Sequence, residues 1–263
     1  MATPIPHNRA RITAQDAAQV TGGALVKSRA RDRASPRRSG SSPEEAVGIF
    51  SDSRAVVPGC AFVALKGERF DGHAFVEAAV ASGASLVVVE RGRGADAGDV
   101  AVVEVDDTLV AWGALGRAHL DGWRRAQADG APAAHVVAIT GSAGKTTTKT
   151  LCAALLAEVA PTHATAGNLN NRIGVPAVLF GLEPHHTFVV VEVGMSLPGD
   201  QNQFWQKKNL EVGAKVFPIF QRNEFFDILH AIDRSRARTV NLADFLFVNL
   251  LVRSCQKLLQ PRK

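Results

Sequence analysis

The sequence predicts an α/β protein built from two units, and three observations carry that prediction. Short apolar runs of strand type alternate with segments of helical spacing, a Gly-rich turn joins one such strand to a helix at residues 140–147, and residue usage changes near residue 200. The predicted organisation is a small N-terminal α/β unit over 1–130, a partial α/β unit with a phosphate loop over 131–200, and an atypical tail over 201–263.

Each element has its own reason. CAFVAL (Cys60 to Leu65) follows the turn signal Val57-Pro58-Gly59 and reads as a strand. In AFVEAAVASGA (Ala74 to Ala84), Phe75, Ala78, Ala79 and Ser82 fall at helical spacing before Gly83, a usual helix end. SLVVVE (Ser85 to Glu90) and VAVVEV (Val100 to Val105) are strands, and Asp107-Thr108 can cap a helix reaching about Gly122. The Ala/Asp/Gly/Pro-rich stretch Ala126 to Ala134 reads as a linker. HVVAIT (His135 to Thr140) restarts the strands, TTTKTLCAALLAEV (Thr146 to Val159) is a helix with an apolar face, and FVVVEVG (Phe188 to Gly194) is a strand continuous enough to be parallel and buried on both faces.

Composition excludes several classes. The 263 residues are 46% hydrophobic, too apolar for a disordered chain, and the 23 Gly have no three-residue period. Cys60, Cys152 and Cys255 lie far apart with no CxxC, which encodes neither a disulfide scaffold nor a zinc site and suits a reduced, cytoplasmic setting. No apolar run approaches the roughly 20 residues that span a bilayer, and no secretory leader is visible. The net charge of +5 is uneven: residues 201–263 hold 11 Lys+Arg against 5 Asp+Glu, so the basic balance belongs to the tail and says little for nucleic-acid binding. The basic run Lys27 to Arg38 reads as a solvated loop, with a phosphate-contacting surface as its alternative. The tail also holds 7 of the 13 Phe and only one Gly, Gly213, which marks it as foreign to the Ala/Gly/Val-rich remainder and suggests a frameshift, fusion or recombination scar.

The strongest chemistry lies in VVAITGSAGKTTTKT. A buried strand, a Gly turn and a helix in succession form the setting of a phosphate loop, in which backbone N–H groups curl around an anion at the positive end of a helix. The general GxxxxGK[ST] pattern wants Gly where Ile139 stands, but the tighter form TGxxGKTT is complete from Thr140 to Thr147. ATP is the expected ligand, with Lys145 reaching its β/γ-phosphates and the Thr146 hydroxyl on magnesium. The pair His185-His186 lacks a third ligand at metal spacing and receives no function. His73 reads equally as a loop histidine or a ligand.

TGSAGKTTT, followed by GNLNNRIGVP (Gly167 to Pro176) and VVVEVGMSLPGD (Val189 to Asp200), resembles the Mur ligases of peptidoglycan synthesis. SDSRAVVPGCAFVALKGERFDGHAF (Ser51 to Phe75) resembles their N-terminal uridine-nucleotide-binding domain, so the resemblance covers roughly residues 10–200. It implies an ATP-dependent amide ligase, in which phosphorylation of a substrate carboxylate creates an acyl phosphate that an amine attacks. It further implies ATP on Thr140, Gly141, Ser142, Ala143, Gly144, Lys145, Thr146 and Thr147, magnesium on Thr146 and Glu192, and catalysis by Lys145 and Glu192. Ser51, Asp52, Ser53 and Arg54 match the uridine-diphosphate segment, Arg54 as a pyrophosphate partner. Asn168, Asn170 and Asn171 suit Asx turns by their residue type alone, and the resemblance assigns them to substrate.

Within the family, GNLNN and GERFDGH point to the branch that joins D-alanyl-D-alanine to UDP-N-acetylmuramoyl-tripeptide. The implied partners are those two substrates, with a monomeric protein and neither membrane nor nucleic acid. Another Mur ligase or a folylpolyglutamate-type ligase is the alternative, since TGxxGKTT is common to them. From Gln201 onward nothing resembles the family, which predicts a truncated central unit with an open sheet edge. A remnant that only binds nucleotide and a divergent but functional tail are the two readings of that difference.

Overall fold

The computed structural model describes residues 6–27, 45–67, 70–94, 97–127, 134–141 and 144–194, together with the backbone of 215–219. The basic run beyond Lys27, the loop residues Ser142 and Ala143, and the tail apart from 215–219 lie outside the described residues.

The first unit opens with β1 (Arg11–Thr13) and α1 (Ala14–Thr21). Thr13 caps that helix by accepting the Asp16 N–H, and Gly22 ends it in the left-handed conformation at φ 66°. β1 pairs antiparallel with β3 (Glu45–Val47). The main sheet joins β2 (Ala24–Lys27), β4 (Ile49–Phe50), β5 (Ala61–Val63), β6 (Leu86–Glu90) and β7 (Ala101–Val105) in the order β2-β7-β6-β5-β4. Its neighbours are parallel except at β2. Alternation along β6 sends Leu86 and Val88 to one core and Val87 and Val89 to the other, so both faces are covered.

Helix α2 (Val76–Ala81) departs from its predicted face. It buries Val76 and Ala79, whereas Phe75, Ala78 and Ser82 are exposed and Phe75 stacks on Phe70 with ring centroids 5.4 Å apart. The cause is a 3₁₀ turn over Gly72–Phe75, whose three-residue period shifts the register on entering the helix.

Helix α3 (Thr108–Ala126) begins where predicted, with the Asp107 carboxylate accepting the Leu109 and Val110 N–H groups at 2.7 and 3.0 Å. It continues past the expected stop at Gly122. An interior glycine costs about 1 kcal/mol, less than the ~1.5–3 kcal/mol from burying a large side chain such as Trp123. Its N-terminal half packs Ala111, Trp112 and Leu115 against the first sheet, and its C-terminal half packs Leu120 and Trp123 against the second.

That second sheet has the order β11-β8-β10-β9, all parallel, from β8 (His135–Gly141), β9 (Thr162–Ala164), β10 (Phe188–Glu192) and β11 (Lys215–Ile219). Helix α4 (Lys145–Ala157) covers one face through Cys152 and Leu156 against Val137, Ile139 and Val190. Helix α5 (Gly174–Phe180) and the end of α3 cover the other, against Val136, Val189 and Val191. A five-residue stretch of the predicted tail, β11, pairs in parallel with β8 and forms the edge of the sheet there, and Pro218 sits on this edge strand, where a missing N–H is tolerated.

Candidate functional site at the C-terminal edge of the second sheet

β8 and β10 are neighbours, and their register places Ile139 beside Glu192. The turn leaving β8 and the carboxylate closing β10 therefore meet at the C-terminal edge of a parallel sheet, where open α/β folds form their crevices. The turn reaches α4 through Gly144, left-handed at φ 76°, a conformation that an L side chain rarely adopts. No side chain caps the helix there, and the first turn of a helix is where backbone N–H groups and the helix dipole suit an anion.

Glu192 is 1% exposed. Its backbone N–H donates to the Thr165 hydroxyl at 2.9 Å. Its Oε1 accepts from Asn170 Nδ2 at 2.8 Å and from Thr146 Oγ1 at 3.3 Å. Its Oε2 is buried with no hydrogen-bond partner and faces the Lys149 ammonium, 3.4 Å away in an ion pair. The Thr140 hydroxyl is likewise buried without a hydrogen bond. A carboxylate oxygen with unused acceptor capacity, next to a threonine hydroxyl at the start of the helix, is an oxygen donor set that fits a hard cation such as magnesium.

Lys149, buried at 5% exposure, also donates to the carbonyl of Gly167 at 3.0 Å, and Gly194 N–H donates to the carbonyl of Asn170 at 2.7 Å. The Gly167–Asn171 loop is thereby fastened to α4 and to the end of β10. Asn171 Oδ1 accepts the N–H groups of Ile173 and Gly174 at 3.1 and 2.8 Å and so organises the entrance to α5, the Asx geometry. Asn168 is exposed. The three asparagines thus stand in three environments.

The structure brings Thr140, Gly141, Gly144, Lys145, Thr146, Asn170 and Glu192 to one sheet edge. It places Ser51, Asp52, Ser53 and Arg54 on the other sheet, after β4. There Asp52 caps a 3₁₀ turn over Ser53–Ala55, and Arg54 folds back on it through Nε and Nη2 at 2.9 and 2.6 Å. This fork holds the Asp52 carboxyl below the usual carboxylate range.

His73 is buried and satisfied on both nitrogens. Glu90 N–H donates to Nε2 at 2.9 Å, which leaves the proton on Nδ1 for Asp71 at 2.6 Å. The backbone and side chain of His73, with Arg93 behind them, pull Asp71 down to about 2. His73 thus stands in the 3₁₀ turn over Gly72–Phe75 with both ring nitrogens engaged. Among the described residues no group of three or more His, Cys, Asp or Glu can hold a metal, the His185–His186 pair included.

Lys149 and Thr165 went unnoticed in the sequence. Lys149 had a signal, since it lies one helical turn beyond Lys145 and on its side of α4. Thr165 had none.

Comparison with known proteins agrees with this geometry. The model of the Mur ligase family catalytic domain matches residues 45–119, and that of the Mur ligase middle domain matches residues 139–214, past the change in composition near residue 200. The chain is 43% identical over 152 residues to the UDP-N-acetylmuramoyl-tripeptide–D-alanyl-D-alanine ligase of Escherichia coli (strain K12), covering 58% of this chain and 31% of that protein. To the Synechocystis enzyme of the same name it is 44% identical over 147 residues, or 56% and 30% of the two chains. It spans about a third of the length of these curated relatives. Among solved structures it is similar to MurF from Acinetobacter baumannii, with a TM-score of 0.60 and 36% identity over 75% of this chain and 39% of that one. It is also similar to the MurF ligase from Thermotoga maritima in complex with ADP, with a TM-score of 0.50 and 31% identity over 59% and 34%. With two Mur models together covering more than half of its residues, and a phosphate loop beside a buried strand-end glutamate, the chain belongs to the Mur ligase family.

Proposed function

We propose that this chain carries the uridine-nucleotide-binding and ATP-binding parts of an ATP-dependent ligase that adds D-alanyl-D-alanine to UDP-N-acetylmuramoyl-tripeptide in the cytoplasm. The observation that carries the reading is the convergence of Thr146, Asn170 and Glu192 beside the phosphate turn. It stands together with 36–44% identity to UDP-N-acetylmuramoyl-tripeptide–D-alanyl-D-alanine ligases.

In this reading residues 1–130 bind the sugar nucleotide and residues 131–200 bind ATP. Thr140 to Thr147 wrap the phosphates, with Lys145 against the β/γ oxygens, where a fixed cation stabilises charge as it develops. Thr146 and Glu192 hold magnesium. Bound ATP with magnesium supplies the phosphoryl group that turns the poor leaving group of a carboxylate into a good one. Asn170 fixes the Glu192 carboxylate so that its orientation does not have to be found during the reaction. Asn168, exposed on the same loop, meets the muramyl substrate in this reading, and Asn171 shapes that loop through its turn.

ADP release by the purified 263-residue chain, given both substrates, ATP and magnesium, tests this reading beside Lys145→Ala. ADP formed only with both substrates present, and lost in Lys145→Ala, supports the ligase. ATP bound without turnover supports a nucleotide-binding chain alone. ATP affinity equal in the wild type and Lys145→Ala removes the phosphate-loop assignment.

A further inference from the structure

Glu192 and Lys149 form a buried ion pair at the place where the divalent cation is expected, 3.4 Å apart with side-chain exposures of 2% and 7%. The ammonium faces Oε2, the oxygen with no hydrogen bond. Its other contact, the Gly167 carbonyl at 3.0 Å, fixes it there.

Lys149 brings its ammonium to the Glu192 carboxylate from the second turn of α4. Before nucleotide enters, the charge of Glu192 is therefore balanced by that of Lys149. A free divalent cation approaching Glu192 meets a carboxylate already neutralised and a like charge 3.4 Å from it. A triphosphate adds negative charge and tips that balance.

We infer that Lys149 is a positioning residue that makes cation binding at Glu192 conditional on nucleotide, so that the metal enters with the triphosphate and not ahead of it. The inference rests on the reading of this edge as a magnesium–nucleotide site. Lys149 holds the carboxylate through Oε2 while Thr146 donates to Oε1, and the lysine charge keeps the nucleotide-free site from trapping cations. Because the pair is buried, its electrostatic effect is little weakened by solvent or salt.

The experiment is a Mn2+ titration of the full chain by electron paramagnetic resonance, with and without ATP, on the wild type, Lys149→Met and Lys149→Arg. Lys149→Met is expected to bind Mn2+ without nucleotide about tenfold more tightly than the wild type, or better. Lys149→Arg, which keeps the charge, is expected to resemble the wild type. Adding Glu192→Gln to Lys149→Met is expected to abolish the gain. Mn2+ affinity in Lys149→Met equal to or weaker than that of the wild type overturns the inference, because a merely structural lysine gives one of those results.

Lys149→Met leaves a buried carboxylate without its cation and can be only marginally folded. In that case Mn2+ alone, acting as the replacement cation, is expected to raise its Tm while leaving the wild-type Tm unmoved. Absence of that rise also overturns the inference. A wild-type chain that fails to bind ATP with Mn2+ at all refutes the site reading itself, an outcome separate from either of these.

Discussion

Trp112 donates its indole Nε1–H to the backbone carbonyl of Ile173 across 2.8 Å, and this bond joins the two units of the chain. Trp112 belongs to α3, in the first unit, and Ile173 stands at the entrance to α5, directly after the loop that carries Asn170 and Asn171. Around the bond, the Trp112 ring meets Phe180 edge-on at 4.8 Å and His119 Nε2 donates to the Leu182 carbonyl at 2.9 Å. The seam is therefore part of both hydrophobic cores, and the segment 128–133 is not the sole link between the units.

Trp112→Phe keeps most of the ring contact and removes the donor, which leaves a carbonyl without its partner. The expected loss is about 1–3 kcal/mol, against about 3–5 kcal/mol for Trp112→Ala, which also opens a cavity. Urea unfolding followed by fluorescence and by circular dichroism measures both. Because the seam is shared, the two probes are expected to give one coincident transition; two separated transitions would show that the units unfold independently.

Gly116 tests how tightly the seam is closed. A Cβ at this position would lie 2.8 Å from Pro176 Cβ and 3.0 Å from Pro176 Cα, and neither is the end of a flexible side chain. Gly116→Ala normally favours a helix by up to about 1 kcal/mol. Here the overlap outweighs that gain, and Gly116→Val is expected to destabilise by about 1–3 kcal/mol, read as a lower urea midpoint. A stabilised Gly116→Ala would mean that α3 and α5 separate at no cost.

Strand identity was legible wherever the apolar run was continuous and bounded by turns. Leu86–Glu90, Ala101–Val105 and Phe188–Glu192 form within the predicted segments, and His135–Gly141 runs one residue past its own. Helix α5 gave no amphipathic signal because all seven of its residues, Gly174 to Phe180, are buried. β1, β3 and β4 span two or three residues each, too few to display a period. At the site, the turn and Glu192 were legible from their order along the chain. The Lys149–Glu192 pair was not, because a lysine in TTTKT looks like any solvated helical residue until the packing of β10 shows which way it faces.

Acid sensitivity has a specific source in the loop before β10. Burial, with His163 and His185 adjacent, pushes His186 down to about 4. In the unfolded chain it protonates near 6.5, so between pH 6.5 and 4 the unfolded state binds the extra proton. Stability at this group is complete above pH 6.5 and falls as the pH drops towards 4. Burial depresses His119 and His163 in the same direction, so they add to the slope. His186→Asn, whose side-chain oxygen can still accept the Glu183 N–H, is expected to give a shallower decline over that window in urea melts. An unchanged slope would place the acid sensitivity elsewhere.

Arg54 separates binding from folding. Its guanidinium is paired with Asp52 at 2.6 Å, yet its side chain is 88% exposed, and an ion pair that open to solvent contributes little to stability. Arg54→Ala should therefore fold normally. If the fork also reaches a pyrophosphate, the lost charge-assisted hydrogen bonds weaken binding of a uridine-diphosphate sugar by about 1.5–3 kcal/mol, roughly 10- to 100-fold. ATP affinity is expected to stay the same, since the phosphate turn belongs to the other sheet. Asp52→Ala adds a second contrast, because it frees the guanidinium from its partner at 2.6–2.9 Å while removing the cap on the Ser53–Ala55 turn. Calorimetric titration of both variants with each nucleotide decides the matter. Equal loss of both ligands in Arg54→Ala would indicate a folding defect, and unchanged uridine-nucleotide affinity would remove Arg54 from the site.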